Sequence, residues 1–290
     1  MSVSDNVTER KKMDMERQMQ NCRLIALDMD GTLLCSDKSL LPETARDIAA
    51  AADRGIEVVY CTGRSTAELA PYVDSLASMR YAVCTSGALV YDLWEKRCIH
   101  SAPIPIGTIQ EVIRILGEDC GMYQFLTETE IVVLGCDVTH MADFHMGPYQ
   151  PLFEKIARKV DSLYEETLQR TSIPKVNVFF RSMEDRMAAY EKVRHLPLMF
   201  AQADVTSLEM TAPGVSKAEG LRRLSDLLGI PMEETAAIGD ADNDRRMLEA
   251  VGLPIAMGNA DEAIRAICRI VTADNDHNGV GEAIRAICEG

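Results

Sequence analysis

The run Leu24-Ile25-Ala26-Leu27-Asp28-Met29-Asp30-Gly31-Thr32 constrains this chain more than any other stretch. Arg23 to Leu27 reads as a strand, and its unbroken apolar run suits one covered on both faces, as in a parallel sheet. The strand ends in two carboxylates, Asp28 and Asp30, which would share a face if it continued. Gly31 lets the chain turn away at once. Acids at the carboxyl end of an early strand stand where open α/β sheets place their sites. Taken alone, the stretch also fits a strand followed by a common Asp-Gly turn.

Further along, other apolar runs switch to polar residues in the same way. Ile56 to Cys61 opens into Thr62-Gly63-Arg64. Lys217 closes Gly214-Val215-Ser216-Lys217. Ala236 to Ile238 leads into Gly239-Asp240-Ala241-Asp242-Asn243-Asp244. These four motifs, in this order, resemble those of the haloacid dehalogenase (HAD) superfamily of phosphatases. The insertion of about 120 residues between the third strand and Lys217 is similar to the type IIB cap of the Cof-like subgroup, as is Met257-Gly258-Asn259-Ala260. The resemblance covers essentially everything after residue 22. One departure stands out: the subgroup carries Asn-Gly-Ala after the third strand, and this chain has Ser86-Gly87-Ala88.

The order of elements predicts an α/β fold with a doubly wound parallel, Rossmann-like core. Pro42 and Gly55 bracket a helix over 42–54. Strand 56–61 follows, then a helix from the capping-box sequence Ser65-Thr66-Ala67-Glu68 to about Met79, then a strand, Tyr81 to Cys84. Ala88 to Tyr91 and Arg97 to Ile104 read as a hairpin or a crossing out of the core. Helices beside short strands then predict an inserted α+β cap, with a helix over Leu152 to Tyr164. From Val215 the wound texture returns, and Glu262-Ala-Ile-Arg-Ala-Ile-Cys268 recurs verbatim as Glu282 to Cys288. The expected organisation is an N-terminal extension over 1–20, frayed or helical, a core of 21–88 and 210–290, and a cap of 89–209.

With 290 residues, 47% of them hydrophobic, the chain can bury a substantial core. A net charge of −15 argues against nucleic-acid binding and against anionic membrane surfaces. No run is long and apolar enough to span a bilayer, and the first twenty residues hold no apolar signal core. Nine cysteines without a Cys-x-x-Cys pair read as reduced thiols, hence a cytoplasmic chain. A monomer or weak homodimer is expected.

Hydrolysing a phosphate monoester needs a nucleophile, neutralisation of equatorial charge, and a proton for the leaving oxygen. The resemblance implies that Asp28 is the nucleophile, forming an aspartyl-phosphate, and that Asp30 is the general acid and then base, which requires a proton near neutral pH. It implies Mg²⁺ held by Asp28, the Asp30 carbonyl, Asp240 and Asp244, the last able to act through water. It places Thr62, with its hydroxyl and backbone N–H, and Gly63, Lys217 and Asn243 on the phosphate. Asp242 can cap the next helix. The implied substrate is a small phosphorylated metabolite, with sugar phosphates foremost. A phosphomutase and a non-catalytic phospho-ligand sensor are the competing readings. His140, Asp143 and His145 match no standard zinc spacing. With Tyr149 they mark Asp137 to Gln150 as a cap loop able to read hydroxyls.

Overall fold

The computed structural model describes residues 13–201 and 204–289. Residues 13–20 are helical and set Met15 and Met19 against the core; the rest of the expected extension lies outside the described residues. In chain order the strands are β1 (Leu24–Leu27), β2 (Glu57–Cys61), β3 (Tyr81–Cys84), β4 (Leu89–Asp92), β5 (Arg97–Ser101), β6 (Met122–Leu126), β7 (Ile131–Leu134), β8 (Ala157–Val160), β9 (Lys175–Phe179), β10 (Met199–Ala201), β11 (Ser207–Thr211), β12 (Thr235–Gly239), β13 (Leu253–Ala256) and β14 (Ile270–Val271).

The first sheet runs β14-β13-β12-β1-β2-β3-β4-β5. It is parallel from β14 to β3 and antiparallel over β4 and β5. β1 lies central, buried on both faces, which is why its sequence is apolar throughout. Ile25 and Leu27 pack beneath helices Pro42–Asp53, Thr66–Val73 and Gly279–Glu289. Leu24 and Ala26 face helices Lys217–Leu228 and Arg245–Ala250 on the other side. Fully burying each of these leucine and isoleucine side chains contributes about 1.5–3 kcal/mol.

The second sheet, β10-β11-β9-β6-β7-β8, is antiparallel except for β7 with β8. One of its faces, with Tyr123, Phe125, Val176 and Val178, packs on its own helices. The other carries Gln124, Lys175, Asn177 and Glu209, register neighbours across β6, β9 and β11, and turns toward the first sheet.

Three expectations change. The hairpin Leu89–Ser101, expected in the cap, pairs with β3 and extends the core sheet. The helix beginning at Thr66 ends at Val73, just after an internal proline, Pro71. The segment Leu152 to Tyr164 is not one helix: helix Gln150–Ile156 gives way to β8, which pairs with β7, and Ser162 caps a new helix, Leu163–Gln169. Among the described residues no helix is long and apolar enough to cross a membrane.

Candidate active site

The carboxyl ends of β1, β2 and β12 bring the sequence motifs together. The Asp28 backbone N–H donates to the Ile238 carbonyl (3.1 Å), so the register of β1 against β12 sets where its carboxylate lies. Gly31 turns the chain at a positive φ of 80°, and a Cβ there would stand 2.4 Å from the Asp240 carboxylate, so only glycine fits. Thr32 Oγ1 donates to Asp240 Oδ1 (2.9 Å).

Lys217, itself buried, reaches up from the start of its helix and donates to both Asp28 Oδ1 and Asp244 Oδ1, each at 2.6 Å. Asp244 Oδ2 also accepts from the N–H groups of Asp240 (3.0 Å) and Ala241 (3.3 Å), so three of its four acceptor sites are used. That bond closes the turn before Asn243, which is exposed. Asp242, expected to cap, pairs instead with Arg245 (2.7 Å).

Asp28, Asp240 and Asp244 each offer an oxygen, all within 4.8 Å of one another. Burial, and then the charge of Asp244, raise the Asp28 carboxyl above its usual range and push Asp240 up to about 6. Burial opposes the charge of Lys217, but Asp244 and Asp28 outweigh it and hold the ammonium charged. Three acids against one internal cation leave uncompensated negative charge, and a hard divalent ion with oxygen ligands fits that deficit.

Asp30 stands apart from this cluster. Arg64 grips it with two hydrogen bonds of 2.8 Å and Lys38 adds a third of 2.7 Å. Burial would raise its carboxyl, but Arg64 and then Lys38 prevail and hold it well below the usual carboxylate range. The proton expected on Asp30 near neutral pH is therefore not supported in this arrangement.

Thr62 N–H, expected to point at phosphate, donates to the Val83 carbonyl (2.8 Å). Its Oγ1 accepts from Arg64 N–H (3.2 Å), which leaves the hydroxyl proton for a ligand. The loop Thr62-Gly63-Arg64 is stitched to the turn after β3: Ser86 N–H donates to the Thr62 carbonyl and Thr85 N–H to the Arg64 carbonyl. Thr85 and Ser86 take left-handed φ values of 49° and 60° to do so. A cleft of about 520 Å³ opens beside Lys217 and Asn243, lined also by Ser86, Glu209, Arg246 and Phe200.

The histidines of the cap loop are not in the site. His140 and His145 are exposed and bond to the carbonyls of Cys136 and Arg181, and Asp143 is exposed. Arg64 and Lys38 on Asp30, and Lys175 on Gly63 (3.2 Å), are the contacts sequence patterns left unassigned. Arg64 adjoins a recognised motif; Lys175 is a lone cation at the head of an apolar strand.

A family profile for haloacid dehalogenase-like hydrolases matches residues 25–284. The chain belongs to this family, in the Cof-like subgroup with a type IIB cap, and is a phosphatase. It is 28% identical over 278 residues to the pyridoxal phosphate phosphatase YbhA of Escherichia coli, covering 90% of this chain and 97% of that protein. It is 29% identical over 293 residues to phosphatase YwpJ of Bacillus subtilis, covering 91% and 99%. A solved subclass IIB sugar phosphatase, BT4131, shares the fold with a TM-score of 0.74 at 22% identity, over 91% of this chain and 98% of that one.

A cation binding here must displace protons from Asp28 and Asp240, whose carboxyls are raised, so protons compete with it. The rise in melting temperature on adding Mg²⁺ is expected to be large at about pH 7.5 and to shrink toward about pH 5, where the raised carboxyls are protonated. Equal shifts at both pH values, read by calorimetry, would contradict this cation site.

Proposed function

We propose that the chain hydrolyses small phosphorylated metabolites, sugar phosphates foremost, with Mg²⁺ and through an aspartyl-phosphate on Asp28. The observation that carries this reading is the buried bridge of Lys217 between Asp28 and Asp244, with Asp240 beside it. The lysine orients one oxygen of Asp28 and leaves the other free to attack phosphorus. The new P–O bond forms as the ester P–O bond breaks, and the leaving oxygen takes a proton. Water then attacks phosphorus, releasing phosphate and restoring Asp28. Lys217, the Thr62 hydroxyl, Gly63 and Asn243 hold the phosphoryl oxygens. The Asp28 and Asp240 carboxylates and the Asp30 carbonyl would hold Mg²⁺, with Asp244 contributing through charge or water, and the ion would supply neutralisation of equatorial charge. While Arg64 and Lys38 hold it, Asp30 is too weak a base to take the proton of the attacking water. Protonating the leaving group requires that Arg64 and Lys38 first release it.

The cap sheet supports a hydroxyl-bearing leaving group. Gln124 Nε2 and Asn177 Oδ1, cross-strand neighbours, are buried and find no hydrogen-bond partner among the described residues. Buried polar atoms without partners are rare, and a substrate hydroxyl or a water seated against this face would complete both. Glu209 pairs with Asn177 in register and lines the cleft. The decisive assay is a screen of phosphorylated metabolites for released phosphate. Turnover without any bisphosphate separates hydrolysis from phosphomutase chemistry. In the same screen, Asn177→Ala is expected to lower kcat/KM for the best sugar phosphate about tenfold or more relative to p-nitrophenyl phosphate. Thermal stability should hold, because the lost oxygen has no partner to strand. A common factor for all substrates would sink the assignment of this face to hydroxyl reading.

A further inference from the structure

Lys175 is a fully buried cation on β9, and none of the chemistry above uses it. Its ammonium has three oxygen neighbours. Glu209 Oε1, from β11 of the same sheet, pairs with it at 2.8 Å. The other two belong to the core: Ser86 Oγ at 3.0 Å and the Gly63 carbonyl at 3.2 Å. An ammonium has three N–H groups, so these oxygens account for all of them and leave none for a substrate. The carbonyl it holds belongs to the peptide that joins Gly63 to Arg64. Thr62 lies on one side of that unit, and on the other Arg64 clamps Asp30. The Ser86 hydroxyl it holds sits on the left-handed turn whose N–H groups fasten the same loop.

We propose that Lys175 is a positioning residue: a cation carried by the cap that fixes the Thr62-Gly63-Arg64 loop, so that phosphate binding by the core depends on the cap being docked. This rests on the phosphatase reading above. The alternative is that Lys175 only neutralises the half-buried Glu209.

The double variant Lys175→Met/Glu209→Gln separates the two, because it removes both charges and strands neither. The probes are p-nitrophenyl phosphate and inorganic phosphate, which present no sugar hydroxyls to the cap. The expected result is a melting temperature near that of the parent, kcat/KM for p-nitrophenyl phosphate lowered about ten- to a hundredfold, and inorganic phosphate bound more weakly by calorimetry in Mg²⁺. Parent-like turnover and phosphate affinity in the folded double variant would overturn the proposal, leaving charge neutralisation as the whole role. A loss confined to sugar phosphates, with both probes unaffected, would overturn it equally and give Lys175 to leaving-group recognition. If the parent releases no phosphate from any monoester, the phosphatase reading fails, and the calorimetric comparison still decides whether Lys175 sets the loop.

Discussion

Replacing Asp28 with asparagine is expected to abolish phosphate release, by a factor of about 10⁴ or more, while leaving the fold intact. An amide keeps the size of the side chain and cannot attack phosphorus. The fold should tolerate the change because burial and Asp244 already favour the neutral form of Asp28, and asparagine imitates that form. Lys217 keeps its 2.6 Å bond to Asp244 and is not stranded. Far-UV dichroism and a phosphate-release assay on one preparation check both halves. Substantial turnover by folded Asp28→Asn would move the nucleophile elsewhere.

Removing divalent metal should have an effect of similar size. In excess chelator the enzyme is expected to lose essentially all activity, to regain it with Mg²⁺, and to recover poorly with Ca²⁺. The three carboxylates lie within 4.8 Å of one another, a compact arrangement that suits the short bonds of Mg²⁺. Larger Ca²⁺ would push the Asp28 carboxylate off its line of attack. Full activity in excess EDTA would exclude the site as described.

The core was readable because its chemistry is local. Each acid or hydroxyl of the four motifs sits where an apolar strand ends and a turn begins, and those junctions stand out in one dimension. Where structure depended on remote partners, it was hidden. The hairpin Leu89–Ser101 shows strands, but nothing in it states that they prolong the core sheet. The repeated Glu-Ala-Ile-Arg-Ala-Ile-Cys makes the same point. Its second copy lies within an eleven-residue helix, Gly279–Glu289, packed on the core. Its first copy forms a single turn, Glu262–Arg265, because Arg269 must bond the Pro254 carbonyl and the chain must enter β14. Identical propensities gave different lengths, and tertiary demand decided. Lys175 was hidden for the same reason, since its core partners lie 112 and 89 residues away. Asp30 was placed correctly at a strand end, but its electrostatic state depends on Arg64 and Lys38.

A cap that enters and leaves the core through short linkers invites transplantation: a module cut out and exchanged to change what the enzyme accepts. The Ile104 N–H bonded to the Ile173 carbonyl ties the incoming linker to the residue two before Lys175, so graft boundaries fall beside that buried cation. A donor cap without a lysine at the place of Lys175 would arrive without the ammonium that the host's Gly63 carbonyl and Ser86 hydroxyl engage. Such chimaeras should fold and bind the new leaving group, yet turn over slowly until a lysine is restored at the seam. Exchange of specificity in this architecture is therefore a two-part inheritance, in which the incoming module must also bring a fitting for the machinery it covers.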